Sequence, residues 1–338
     1  MKGRLENQIK MEEKIKKMLS DKDEIFSRYL LNLSSNTATA KHEYMSKVLY
    51  FFDHVPKLDS SKVSMEQLRG ITKEDIQKFL EDTKYSSKSG TLKLKSPSTQ
   101  RTEIAALRSF FDFLIGIEVI DKNPTDSIKR PKLKDSGEVT YMTPDEIDEV
   151  RDNMRRGIGS VSKKVRENHR VWSKQNIAIL MIGCTLGLRV TAISEINVED
   201  VNFDEMTISV TEKGDVTKKV WMGRDTANSI RDWLVDREIL LKGKESDALF
   251  ISSKGERISS PKIRRLISQY TDTLDKHITP HKMRSSCATN LYNQTGDIYL
   301  VKDVLGHKNI ANTQKYTRQP EAKLRNASSI LESLYGGK

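Results

Sequence analysis

The chain has 338 residues, 58 Lys+Arg against 47 Asp+Glu for a formal net charge of +11, and two cysteines, Cys184 and Cys287. That length suits two domains with a core each, and 36% apolar against 31% charged residues is too aliphatic for a disordered chain. With no run of 18 apolar residues, no apolar stretch in MKGRLENQIKMEEKIKKML and only two cysteines, a membrane span, a secretory signal, a disulfide framework and a cysteine metal cluster are excluded. A reduced, cytoplasmic setting is expected. Division at residue 135 gives 26 − 20 = +6 before it and 32 − 27 = +5 after it. The basic surplus is therefore shared, and a polyanionic partner would be touched by both halves.

Residues 1–20 form a helical extension with Ile9, Ile15, Met18 and Leu19 at loosely helical spacing. Helices are predicted next over Asp21 to Leu33 and Thr39 to Phe52, the latter carrying Tyr44, Val48, Leu49 and Phe52. Ile71 to Leu80 is another, with Thr72 as N-cap and Asp75 in the first turn. Lys84 to Arg101 then carries five basic residues and no acidic one. The pattern breaks at Pro97, where Ser98 can cap an amphipathic helix holding Ile104, Leu107, Phe110, Phe111, Leu114 and Ile115. An all-helical bundle over 21–128, closing near Asn123-Pro124, is the expected first domain.

Residues 129–140, KRPKLKDSGEVT, have a linker's composition. A second domain, 141–319, opens at Thr143-Pro144-Asp145-Glu146, a helix start with Thr as N-cap and Pro at N1. Arg151 to Lys174, polar and interrupted by Gly157 and Gly159, is an excursion between helices, and Ile177 to Leu188 is an apolar helix ending at Gly187. Short strands are predicted at Met206–Val210 and Lys218–Met222 around Glu212-Lys213-Gly214-Asp215, with a third near Val201–Phe203. Everything after Asp225 reads helical, including a C-terminal helix over 320–338 with Leu324, Ala327, Ile330, Leu331 and Leu334. The fold class is mainly α with one small antiparallel sheet in the C-terminal domain.

Three clusters carry chemistry. His281 and Arg284 lie at i and i+3 on a helix whose N-terminus is marked by Thr279-Pro280, an end that favours an anion. Two solvated cations on a surface helix is the plainer reading. Arg189 follows the apolar helix in CTLGLR, where a guanidinium would be held rigidly at the edge of a core. Near the C-terminus, LGHKNIANTQKYTR places His307 nine residues before Tyr316.

Taken in order, Arg189, Lys213, His281, Arg284, His307 and Tyr316 resemble the site residues of the tyrosine recombinase (phage-integrase) family. The matching segments are TLGLRVTAISEINVEDV, TEKGDVTKKVWMG, TPHKMRSSCATNLY and LGHKNIANTQKYTR. The motifs span residues 143 to about 320, and the N-terminal half resembles the family's helical core-binding domain by architecture only. The short extension before that bundle is similar to the simple, Xer-like type that lacks a separate arm-binding domain.

The resemblance implies a site-specific DNA recombinase or integrase, acting as a homo-tetramer on double-stranded DNA through a Holliday junction, cytoplasmic and nucleoid-associated, with no metal and no cofactor. Tyr316 would be the nucleophile, forming a 3′-phosphotyrosine, and Arg189 and Arg284 would clamp the non-bridging oxygens. Lys213, at a hairpin tip, would protonate the leaving 5′-oxygen, with Lys218 and Lys219 close enough to compete. His281 would assist the tyrosine's proton transfer and His307 would hydrogen-bond the phosphate. The acid-free run Lys84, Lys88, Lys93, Lys95 and Arg101 would contact the DNA backbone, against the alternative of a solvated loop. The helix over 320–338 would dock on a neighbouring protomer, against packing on its own domain. One position departs from the family pattern: three places after Arg189 stands Ala192 where an acidic residue is usual, and Glu195 lies a turn further on. Tyr316 as a core tyrosine, a DNA-binding relative without chemistry, and a type IB-like topoisomerase or telomere resolvase are the alternatives.

Overall fold

The computed structural model describes residues 2–81, 84–86, 92–132, 139–159, 161–211 and 217–317. The chain divides into two compact units between Asp135 and Ser136.

The first unit is helical apart from one short hairpin. Helix α1 covers Lys2–Leu19, α2 Glu24–Asn32, α3 Ala38–His54, α4 Met65–Arg69 and α5 Lys73–Glu81, and α6 follows as Pro97–Gly116. Asp23, Thr37 and Ser64 cap α2, α3 and α4 through side-chain oxygens. Thr72 and Asp75 exchange hydrogen bonds at the start of α5, as the sequence predicts. The cap of α6 is Ser96, whose Oγ accepts from Thr99 N, so Pro97 takes the N1 position and Ser98 lies inside the helix. Aromatic rings fill the core. Phe26 meets Phe52 edge-on at 5.1 Å and Phe110 at 5.8 Å, while Tyr29 meets Phe110 at 5.1 Å. Ile115, expected on the buried stripe of α6, is 36% exposed.

Between α5 and α6 the predicted basic loop contains a two-stranded antiparallel pair, β1 (Lys84–Ser86) and β2 (Leu92–Leu94). An all-helical N-terminal unit is thus corrected by one hairpin.

The second unit holds α7 (Pro144–Arg156), α8 (Lys163–Glu167), α9 (His169–Thr185) and α10 (Val190–Glu195), then β3 (Val201–Asn202), β4 (Thr207–Thr211) and β5 (Thr217–Trp221). The three strands form an antiparallel sheet in the order β3-β4-β5. Then come α11 (Arg224–Leu241), α12 (Ser260–Tyr270), α13 (Pro280–Thr295), α14 (Ile298–Leu305) and α15 (Ala311–Gln314), with a 3-10 turn over Lys315–Thr317.

Thr143 and Glu146 close a capping box at the start of α7, and Lys276 pairs with Glu146 at 2.7 Å. The excursion after α7 is held by two glycines. A side chain at Gly157 would strike the His169 ring, and one at Gly159 would strike the Gln269 carbonyl, 2.3 Å away. From Ile177 to Cys184 helix α9 is apolar and buried all round, where α7, α11 and α13 pack against it. Among the described residues no helix is long and apolar enough to cross a membrane.

Candidate active site

Helix α9 is the buried post from which the site is built. It ends at Thr185, and Gly187 (φ +61°) turns the chain so that Arg189 becomes the N-cap of α10. Leu188 beneath it is buried while Arg189 is exposed. Gly187 has no room for a side chain: a Cβ would lie 2.6 Å from Leu305 Cδ2 and 3.2 Å from Cys287 Sγ. Gly187→Ala should therefore destabilise the protein by more than about 1–2 kcal/mol, the cost of the left-handed conformation alone. Thermal denaturation checks this, and a variant that melts with wild type would contradict it.

Arg284 sits at the start of the second turn of α13 and is only 4% exposed, which removes the reading of a solvated surface cation. Its Nη1 donates to Gly187 O and its Nη2 to Leu305 O, both at 2.5 Å. Each acceptor lies at a helix C-terminus, that of α9 and that of α14, where carbonyls lack intrahelical partners and the helix dipole is negative. The guanidinium thus ties three segments together: the turn before Arg189, the start of α13 and the turn before His307. Gly306 (φ +64°) ends α14, and His307 N donates to Lys302 O at 3.0 Å, which aims the histidine back toward Arg284.

His281 is exposed at the N-terminus of α13, and His307 is half-buried with Nδ1 3.0 Å from Thr313 Oγ1. Desolvation lowers the pKa of His281, and the charges of Lys315, Arg284, Lys282 and Arg189 add to it. Burial of its own ring, with the charges of Arg284, Arg189, Lys315 and His281, pushes His307 down to about 4. Both rings are held toward the neutral form inside a cluster of fixed cations.

The sign of the resulting pH effect follows from the unfolded pKa of about 6.5 for histidine. Between that value and about 4 the unfolded chain binds the proton that folded His307 refuses, so stability falls as the solution is acidified through this window. His307→Gln should flatten that part of the stability profile in denaturant titrations at stepped pH. An unchanged profile would count against a depressed His307.

Tyr316 lies in the 3-10 turn after α15, 2% exposed among Cys287, Ala288, Val301 and Leu305. Its hydroxyl is buried without a hydrogen-bond partner among the described residues, unlike an ordinary core tyrosine. The ring stacks on His307 at 6.4 Å with planes 16° apart, and Lys315 Nζ stands 4.8 Å from its centroid. Lys315, a cation near both histidines and over the Tyr316 ring, is a site residue that no sequence pattern marks beyond its place directly before the tyrosine.

Lys213 lies outside the described residues. Of its two competitors, Lys219 is ion-paired with Glu205. Ala192 and Glu195 are both half-buried on α10. Neither Arg189 nor His281 pairs with a carboxylate among the described residues, and Arg284 is oriented by backbone carbonyls.

The basic run before α6 needs a correction. Lys95 is 6% exposed: it pairs with buried Glu103 at 3.3 Å, donates to Phe79 O and lies over the Phe79 ring at 3.9 Å. It neutralises a core carboxylate and so leaves the DNA-facing set. Burying Glu103 on the inner face of α6 demands such a partner. Arg101 is half-buried on α6. Lys84 and Lys93 lie on the two hairpin strands and Lys88 outside the described residues. Among the described residues no cluster of metal-ligating side chains occurs.

The profile described as the phage integrase family matches residues 141–323. The chain is 31% identical to a tyrosine recombinase XerC of Alcanivorax borkumensis over 225 residues, 66% of this chain and 69% of that one. It is 27% identical to a tyrosine recombinase XerC of a Roseiflexus species over 309 residues, 88% and 89% of the two chains. Two solved structures share the fold. The XerH site-specific recombinase, bound to a palindromic difH substrate after cleavage, has a TM-score of 0.63 at 20% identity, covering 90% of this chain and 83% of that one. A lambda integrase dimer bound to a COC′ core site has 0.61 at 18% identity, covering 87% and 94%. The chain belongs to the phage integrase family of tyrosine recombinases, enzymes that break and rejoin DNA.

Proposed function

We propose that this protein is a site-specific recombinase that cleaves each DNA strand through Tyr316 and exchanges strands through a Holliday junction in a homo-tetramer. The observation that carries the reading is the charge of Arg189, Arg284 and Lys315 gathered around His281 and His307, with the His307 ring stacked on that of Tyr316. Such a site has charge for a phosphodiester and a nucleophile next to it.

In the proposed step Tyr316 Oη attacks the scissile phosphorus, a P–O bond to tyrosine forms, and the bond to the 5′-oxygen breaks. The phenolic proton leaves by way of His281, and the 5′-oxygen receives one from Lys213. Arg189 and Arg284 hold the two non-bridging oxygens, with His307 as a further donor. The reverse attack by a 5′-hydroxyl rejoins the strand, so the ester energy is kept and no ATP is consumed. Because the hydroxyl is buried, cleavage requires the 3-10 turn over Lys315–Thr317 to swing Tyr316 toward the phosphate. The remaining basic residues of both units, Lys84, Lys88, Lys93 and Arg101 among them, would grip the duplex backbone, with affinity falling steeply as salt rises. Action in the cytoplasm, on nucleoid DNA carrying a specific recombination site, follows from this reading, as does docking of 320–338 on a neighbouring protomer.

The test is a nicked suicide substrate, from which the short 5′ fragment diffuses away after cleavage. Wild type is expected to accumulate a covalent protein–DNA complex, and sequencing the trapped DNA gives the recombination site. Binding without any covalent complex would favour the non-catalytic alternative. Relaxation of supercoils without a site, or conversion of one site to hairpin ends, would favour the topoisomerase or resolvase.

A further inference from the structure

We propose that Thr313 is a positioning residue that fixes which nitrogen of His307 carries the proton, leaving Nε2–H as the donor offered to the phosphate. The proposal deepens, and rests on, the reading of the site as a phosphoryl-transfer centre.

Thr313 is fully buried on α15, and its Oγ1 lies 3.0 Å from His307 Nδ1. That contact is the hydroxyl's sole side-chain hydrogen bond among the described residues. Two proton arrangements are open. If Nδ1–H donated to Oγ1, the hydroxyl proton would need another acceptor. The usual one, a carbonyl one turn back in the helix, is not engaged. The proton would then be buried and unpaired, which native structures avoid. If Oγ1–H donates to a bare Nδ1, both atoms of the buried contact are satisfied and the ring proton sits on Nε2, on the side of the ring turned to the site.

The choice matters because the ring is neutral. A neutral imidazole has one N–H and one lone pair, so a proton on Nδ1 would turn a lone pair toward the site. Arg284, Arg189, Lys315 and His281 face this ring and, with burial, keep it from charging at neutral pH. Against a phosphate oxygen, a lone pair repels and an N–H attracts. Nε2 has no hydrogen-bond partner among the described residues. Thr313 also rides one helical turn before Tyr316, with both side chains buried, so the same bond ties His307 to the nucleophile's segment.

The experiment combines 15N NMR of the full-length protein with cleavage rates on the nicked substrate, the His307 signals being identified by their loss in His307→Gln. Wild type and Thr313→Ser are expected to show a protonated Nε2 and a bare Nδ1, and to cleave at similar rates. Thr313→Val, which keeps the shape and loses the hydroxyl, is expected to show a mixed or inverted tautomer and cleavage slower by about 10- to 100-fold, as for other partners that orient a functional histidine. A wild-type ring protonated on Nδ1 would overturn the proposal without any variant. So would a Thr313→Val protein that keeps Nε2–H, or one that changes tautomer and cleaves at full rate. A wild type that never forms covalent complex would instead count against the phosphoryl-transfer reading, which the tautomer measurement does not depend on.

Discussion

Replacing Tyr316 by phenylalanine is expected to abolish covalent attachment to DNA while leaving the fold as stable as wild type, or more so. A catalytic phenol has no substitute in the neighbouring side chains, so the loss should be complete on the time scale of wild-type cleavage. The stability expectation comes from the same atom. The hydroxyl is buried with no partner among the described residues, and an unsatisfied buried polar group costs free energy that phenylalanine would not incur. A gain of about 1 kcal/mol, at the low end of that cost, should raise the midpoint of thermal denaturation. Most core tyrosines give the opposite result, because their hydroxyls are bonded. Residual covalent complex with Tyr316→Phe would show that another residue is the nucleophile, and a lower midpoint would show that the hydroxyl has a partner in solution.

Arg284→Ala is expected to have the other large effect, on chemistry and stability together. Loss of a preorganised donor to the phosphate slows reactions of this kind by about 10²–10³-fold. Loss of the guanidinium also leaves Gly187 O and Leu305 O unpaired at the ends of two helices, at about 1–3 kcal/mol for each. Arg284→Lys should recover part of the stability and little of the rate, since one ammonium cannot reproduce a planar fork across two carbonyls. Arg189→Ala provides the contrast. Its side chain is exposed and bonds no described residue, so cleavage should fall with little change in melting. Suicide-substrate rates and denaturation curves on the three proteins check the pattern. Equal destabilisation by Arg189→Ala and Arg284→Ala would contradict the distinction.

Much of this architecture is legible in the sequence because its signals are local. Thr143-Pro144-Asp145-Glu146 marks a helix start through cap chemistry alone, and the structure shows the full capping box. The strands around residue 213 and the apolar α9 follow from period and run length. The features that escape have non-local causes. Lys95 reads as part of a basic surface run, yet Glu103, eight positions later on α6, pulls it inside. No pattern within the run records that a buried carboxylate waits across the fold. Lys315 and Thr313 are unremarkable until α15 is folded against His307, when one becomes a charge on the site and the other a partner of its ring. Arg284 is recognisable by its spacing from His281, but its grip on two helix ends depends on where α9 and α14 stop.

The most direct measurement is peptide mapping of the covalent complex. The trapped protein–DNA adduct is digested with protease and nuclease, and the nucleotide-bearing peptide is sequenced by tandem mass spectrometry. The expected result is a single modified peptide containing Lys315-Tyr316, with a 3′-phosphonucleotide on the Tyr316 oxygen. A nucleotide on any other residue, or joined through a 5′-phosphate, would contradict the assignment of Tyr316 and the chemistry built around it.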